Sequence, residues 1–273
     1  MLTAAHKTRL ITAAALLGLL LLCIAFGGWM LRLLALVAGS VALYEFYCLF
    51  WPAGRENGRK AFGLALGALV ILFQAGGPLW SGVVLALSFL ALGVAFLCDY
   101  GNGNREARLG DNAPLVAGIL YIPFLLQLAL YFGPAEQCLV IFAAIASDTG
   151  GYYAGSLFGR HKLWPSVSPK KSWEGFWGGM ILCIAITSVL GSLGVSQGWA
   201  MPALPLWGWM VTGLLLNLAA VTGDLFESAV KRSQAVKDSG TLLPGHGGVL
   251  DRIDSLLFVL PVYCLVRLVC GLS

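Results

Sequence analysis

S-A-V-K-R-S-Q-A-V-K-D-S-G-T-L-L-P-G-H-G-G-V-L-D-R-I-D, residues 228–254, is a polar stretch in a chain that is otherwise largely compatible with hydrocarbon. It gathers Lys231, Arg232, Lys237 and Arg252 with Asp238, Asp251, Asp254 and His246. A glycine-rich turn, residues 244–248, stands just before the last two acids. Such a turn can aim several backbone N–H groups at one anion, and a helix starting near Val249 adds its positive dipole end. Cations, bare N–H groups and carboxylates at a membrane edge suit the holding of a metal–polyphosphate. The plainer reading is a cytoplasmic loop with solvated charges. It sits badly with acids placed inside apolar spans, which bilayers tolerate poorly.

Working outward, the apolar run before the stretch carries Asp224, about eight residues ahead of Arg232 and so ~12 Å below the interface at the helical rise. Glu227, Ser228 and Lys231 follow at i+3, i+4 and i+7 and share its helix face. Asp251 and Asp254, spaced i and i+3, share a face at the start of the next span. The intervening loop is short enough for the two acidic faces to meet. Carboxylates converging at one depth repel unless cations stand among them. Hard oxygen ligands favour one or two Mg²⁺ ions, held by Asp224, Asp251 and Asp254 together with substrate phosphates. The alternative is a set of Asp–Lys and Asp–Arg pairs that only neutralise one another, at a desolvation cost that neutral residues avoid.

The composition fits spans on both sides of the stretch. Hydrophobic residues make up 59% and charged residues 11% of 273, against about 25% charged in soluble domains. Spans of about 20 apolar residues read as 10–28, 30–51, 61–75, 79–98, 114–132, 137–158 (interrupted at Gly150-Gly151), 173–195, 206–232 and 253–271. The first, with Lys7 and Arg9 ahead of it, reads as a retained anchor rather than a cleaved leader. Nine spans with a cytoplasmic N-terminus place all of the 17 basic residues except Arg32 and Arg267 at inner ends, as the positive-inside rule requires. The fold expected is all-α, a polytopic transmembrane helical bundle forming a single integral-membrane domain. Residues 1–136 would be spans without motif and residues 137–273 the catalytic spans. The seven cysteines lie in or beside apolar runs without CxxC spacing and read as small hydrophobes. Glu45, in the second span, reads as a structural partner to some polar group, with nothing tying it to the motif. Glu174 can cap the seventh helix.

The motif residues resemble the signature of the phosphatidate cytidylyltransferases (CDP-diacylglycerol synthases). Ser228, Lys231-Arg232, Lys237-Asp238, Gly240, Pro244, His246-Gly247-Gly248 and Asp251-Arg252-Ile253-Asp254 fill that signature. S-D-T-G-G-Y-Y-A-G from Ser147 and S-P-K-K-S-W-E-G from Ser168 are similar to the family as well. The resemblance implies transfer of a cytidylyl group from CTP to phosphatidate, giving CDP-diacylglycerol and pyrophosphate for phospholipid biosynthesis. It further implies catalytic roles for Asp224, Asp251, Asp254, Lys231, Arg232 and His246. Substrate contacts are expected from Asp148, Lys170, Lys171, Ser228, Lys237, Asp238, Gly247, Gly248 and Arg252. For Asp148 and its following glycines, close helix packing is the alternative; for Lys170 and Lys171, topology charges; for His246, a plain turn residue. Expected partners are Mg²⁺, CTP and phosphatidate in the leaflet, with no nucleic acid and with a homodimer compatible. The expected location is a bacterial cytoplasmic (inner) membrane, with the site toward the cytoplasm. A CTP-dependent lipid-alcohol kinase and a secondary transporter are the competing readings. The transporter would need polar groups near the midplane with access from both sides.

Overall fold

The structure, a computed structural model, describes residues 4–52, 54–101, 108–240, 242 and 247–271. Helices dominate because apolar surroundings leave backbone N–H and C=O groups no partners except one another. They are α1 (Ala4–Phe26), α2 (Gly28–Phe50), α3 (Asn57–Leu72), α4 (Pro78–Gly101), α5 (Ala113–Tyr121), α6 (Pro123–Leu126), α7 (Pro134–Phe158), α8 (Trp173–Ser196), α9 (Leu206–Ser233) and α10 (Leu250–Val269). Five stretches are long and apolar enough to cross a membrane: Gly28–Phe50, Leu79–Gly101, Leu109–Tyr131, Trp173–Ser196 and Leu206–Ser233. Thr12–Phe26 is a shorter apolar helix. The all-α membrane-type fold expected from composition is the fold observed.

Two local expectations are corrected. The span expected at 137–158 is not interrupted at Gly150-Gly151, because α7 runs through both glycines without a break. The span at 114–132 is itself broken: Pro123 cannot donate an N–H, and the chain there passes from α5 to α6 and then to a 3-10 turn, Gln127–Tyr131. Before α8 the chain forms a small antiparallel hairpin, β1 (Lys162–Trp164) against β2 (Ser168–Ser172), with Lys162 opposite Ser172 and Trp164 opposite Ser168.

The chain forms two compact units, one of Met1–Leu130 with Asp238–Asp251 and the other of Tyr131–Lys237 with Arg252–Ser273. In the first, Tyr47 of α2 is fully buried and donates to the Leu115 carbonyl at 2.9 Å. Gly63 of α3 and Gly118 of α5 leave the space its ring fills: a methyl on either would lie within 2.7 Å of ring carbons. Leu43, Leu115 and Ile119 complete that core. Outward, α4 exposes Leu79, Phe89, Leu90, Val94 and Leu97, an apolar surface suited to lipid.

In the second unit α7 and α8 touch along glycines. A methyl on Gly150 would meet the Gly178 carbonyl at 2.6 Å, and one on Gly175 would meet the Gly151 carbonyl at 2.8 Å. Without side chains between them the two backbones come close enough for dispersion to hold them, which is how helices associate where the solvent is as apolar as they are. Farther along, Gly191 of α8 accommodates the indole of the fully buried Trp209 of α9. Arg267 of α10 pairs with Glu136 of α7 at 3.1 Å and donates to the Tyr131 carbonyl. Its charge is therefore balanced by a buried carboxylate that also accepts from Tyr263 Oη.

Candidate active site

α7, the hairpin, α9 and the first turns of α10 carry most of the charged residues of the second unit. Ser172 at the close of β2 accepts from the Gly175 N–H and caps α8. Glu174, a candidate for that role, accepts from the backbone N–H groups of Arg160 and His161 and pairs with His161 Nδ1 at 2.6 Å. It thus ties the end of α7 to the start of α8. Held this way, Lys171 turns inward and its ammonium lies 2.7 Å from Asp224 Oδ2 of α9. It also donates to the Val221 carbonyl at 3.4 Å.

Asp224 is half-buried, and the Ser228 hydroxyl one turn on donates to its other oxygen at 3.3 Å. Glu227, almost fully buried, pairs with Lys231 at i+4. Asp254 of α10 is buried, accepts from the Ser255 N–H at 2.8 Å, and lies within electrostatic reach of Asp224, Asp148 and Lys231. Asp148, exposed on α7, receives a hydrogen bond from the Ser255 side chain and feels Asp224, Lys171 and Arg252. The charged cluster of this unit is thus Asp148, Asp224 and Asp254 with Lys171, Lys231 and Arg252. Lys170, Arg232 and Lys237 are exposed around it, and the Arg232 guanidinium donates to the Val236 carbonyl.

The rest of the motif belongs to the first unit. Gly247 has φ of +80°, open to glycine at little cost, and a methyl on it would meet Asp251 Oδ2 at 2.6 Å. The Asp251 carboxylate accepts from the Gly248 N–H at 2.8 Å and from the Ser239 N–H at 3.2 Å. The Gly248 N–H is therefore directed at a carboxylate of the same loop rather than left open to an outside anion. Asp238 is exposed. Pro244 and His246 lie outside the described residues.

Glu45 is where sequence reading fell short. Its Oε2 accepts from the Leu250 N–H at 2.9 Å and makes a longer 3.5 Å contact with Ser239 Oγ. Gly240 and Gly248 both press against its carboxylate. An acid inside an apolar span was the available signal, but its partners lie 194 and 205 residues away.

Among the described residues no three of His, Cys, Asp and Glu stand close enough together to form a metal-holding group. The donors nevertheless suit magnesium, which takes oxygen ligands and is usually bound through one or two carboxylates plus substrate phosphates rather than by a complete protein cage.

A helical membrane-type fold with a partly buried cluster of carboxylates and cations defines a class, a membrane-embedded enzyme acting on anionic substrates. The chain belongs to the cytidylyltransferase family, whose profile matches residues 7–270. It is 32% identical to a Staphylococcus epidermidis protein named phosphatidate cytidylyltransferase, over 94% of this chain and 96% of that one. A Mycobacterium tuberculosis protein of the same name is 46% identical over 81% of this chain and 62% of its own length. One from Bacillus subtilis is 42% identical over 48% of this chain and 46% of its own length.

Proposed function

We propose that this protein transfers a cytidylyl group from CTP to phosphatidate, forming CDP-diacylglycerol and releasing pyrophosphate for phospholipid biosynthesis. The observation that carries this reading is similarity along nearly the whole chain to proteins bearing the name of that activity. The charged cluster supports it chemically. A phosphate monoester is already mostly dianionic near neutral pH, so its oxygen needs alignment and relief from repulsion more than a base. That oxygen forms a bond to the α-phosphorus of CTP while the bond from the α-phosphorus to the bridging oxygen breaks, and pyrophosphate leaves with the electron pair.

Lys171, Lys231 and Arg252 offset the charge of the two meeting anions, with Lys170, Arg232 and Lys237 at the approach. In the structure Lys171 and Lys231 are paired with Asp224 and Glu227, so substrate phosphates would compete with carboxylates for these cations. Asp224 and Asp254 are the pair best suited to a magnesium ion, with Asp251 the third expected ligand. Bound there, magnesium would supply positive charge to the triphosphate and to the departing pyrophosphate. The nine-span topology with a cytoplasmic N-terminus, an inner-membrane location and a homodimer belong to the same proposal. The support for the topology is the one-sided distribution of basic residues.

Purified protein with CTP, phosphatidate and Mg²⁺ should release pyrophosphate one-for-one with CDP-diacylglycerol, and chelation of the metal should stop both. Diacylglycerol should not replace phosphatidate, because its hydroxyl would need a base. Turnover with diacylglycerol accompanied by CDP release would overturn the proposal in favour of phosphoryl transfer.

A further inference from the structure

We infer that Glu45 is a positioning residue for the reaction, the post on which the glycine-rich signature loop is hung. The inference rests on the cytidylyl-transfer reading above. Glu45 is 6% exposed in the C-terminal third of α2, which ends at Phe50. Burying a polar side chain there is costly unless it finds hydrogen-bond partners. Its Oε2 takes the N–H of Leu250, the first residue of α10, where four N–H groups lack helical partners and negative charge is favoured. The same oxygen contacts Ser239 Oγ. Ser239 donates its own N–H to Asp251, and Asp251 accepts from Gly248. One buried carboxylate thereby holds both ends of the described loop, and the half-buried Asp251 closes it.

The glycines of the signature fit this arrangement. A methyl on Gly248 would collide with Ser239 Oγ and the Glu45 carboxylate, and a methyl on Gly240 would collide with Glu45. Both positions are small because Glu45 occupies the space beneath them. Both contacts are made by Oε2, and Glu45 Oε1 has no hydrogen-bond partner among the described residues. An uncharged side chain of the same shape with one carbonyl oxygen would serve.

The test compares Glu45→Ala, Glu45→Gln and Gly248→Ala with the wild type, reading kcat and KM for CTP alongside hydrogen exchange of peptides covering residues 239–251. Glu45→Ala should lower kcat by about 100-fold, the scale of an ångström-level misplacement, with KM for CTP moving far less. Exchange at 247–251 should rise. Glu45→Gln should recover most of the rate, because its carbonyl can still accept from Leu250. Gly248→Ala should show the same lowered kcat and faster exchange. Combined with Glu45→Ala, which makes room for the methyl, its effect should be less than additive. If Glu45→Ala fails to fold, Glu45→Gln and Gly248→Ala carry the decision. Wild-type kcat in Glu45→Ala, a lowered kcat with unchanged exchange at 247–251, or a Glu45→Gln as impaired as Glu45→Ala would each overturn the inference. A wild type inactive on CTP and phosphatidate would instead count against the proposed function, and the exchange measurements would still report on the anchor.

Discussion

Asp254→Asn and Asp224→Asn are each expected to lower turnover by about 10²–10³-fold, the loss typical of removing one preorganised charge-stabilising group, while folding is retained. Asparagine keeps the shape of aspartate, and at 254 it can still accept from the Ser255 N–H. What it removes is a charge buried beside Asp224 and Asp148. Like charges close together in a poorly solvated place oppose folding, so the thermal midpoint of Asp254→Asn should be unchanged or higher. At Asp224 the substitution releases Lys171 from its 2.7 Å partner, and a modest fall in midpoint is expected with the lost turnover. The checks are steady-state rates at saturating Mg²⁺ and thermal unfolding in the same detergent. A lower midpoint with near-normal turnover would make these acids structural neutralisers, the alternative that sequence alone left open.

Gly150→Val is the second substitution expected to have a large effect, this time on the fold. The added carbons would fall on the Gly178 carbonyl and the Gly179 Cα, backbone atoms that move only if α7 and α8 part. Even Gly150→Ala is expected to cost about 1–3 kcal/mol, the range for overpacking a filled interface, and valine more. Little monodisperse protein should survive extraction of Gly150→Val. Gly93→Ala in α4, with nothing within 4 Å of the new methyl, should be neutral or slightly stabilising, since alanine favours helix over glycine. Equal yields of the two variants would mean that α7 and α8 do not pack through their glycines.

These substitutions show where sequence was informative. Apolar length placed most of the long helices, because hydrocarbon surroundings force the backbone to satisfy itself locally, but it missed the break at Pro123. The facing of Asp224, Glu227, Ser228 and Lys231 followed from the helical period, and the Glu227–Lys231 and Ser228–Asp224 contacts are among its consequences. The glycine pair after Asp148 was ambiguous, because glycine serves equally to open a helix or to admit a neighbour. Only the position of α8 resolves that in favour of packing. Lys171 could be read as a topology charge or a phosphate contact, and its pairing with Asp224 depends on the hairpin that turns it inward. Glu45 was least legible. Its partners are backbone N–H and hydroxyl groups of a distant loop, and neither periodicity nor composition records a contact of that range.

The claim that most of this account depends on is which phosphorus of CTP is attacked. Magnesium, cations and a lipid acceptor are common to cytidylyl and phosphoryl transfer, so ligand variants cannot separate them. The position of a label can. Purified protein given phosphatidate, Mg²⁺ and CTP labelled at the α-phosphorus should move the label into lipid, whereas γ-labelled CTP should leave the lipid unlabelled and yield labelled pyrophosphate. Label entering lipid from the γ-position but not from the α-position would contradict the account.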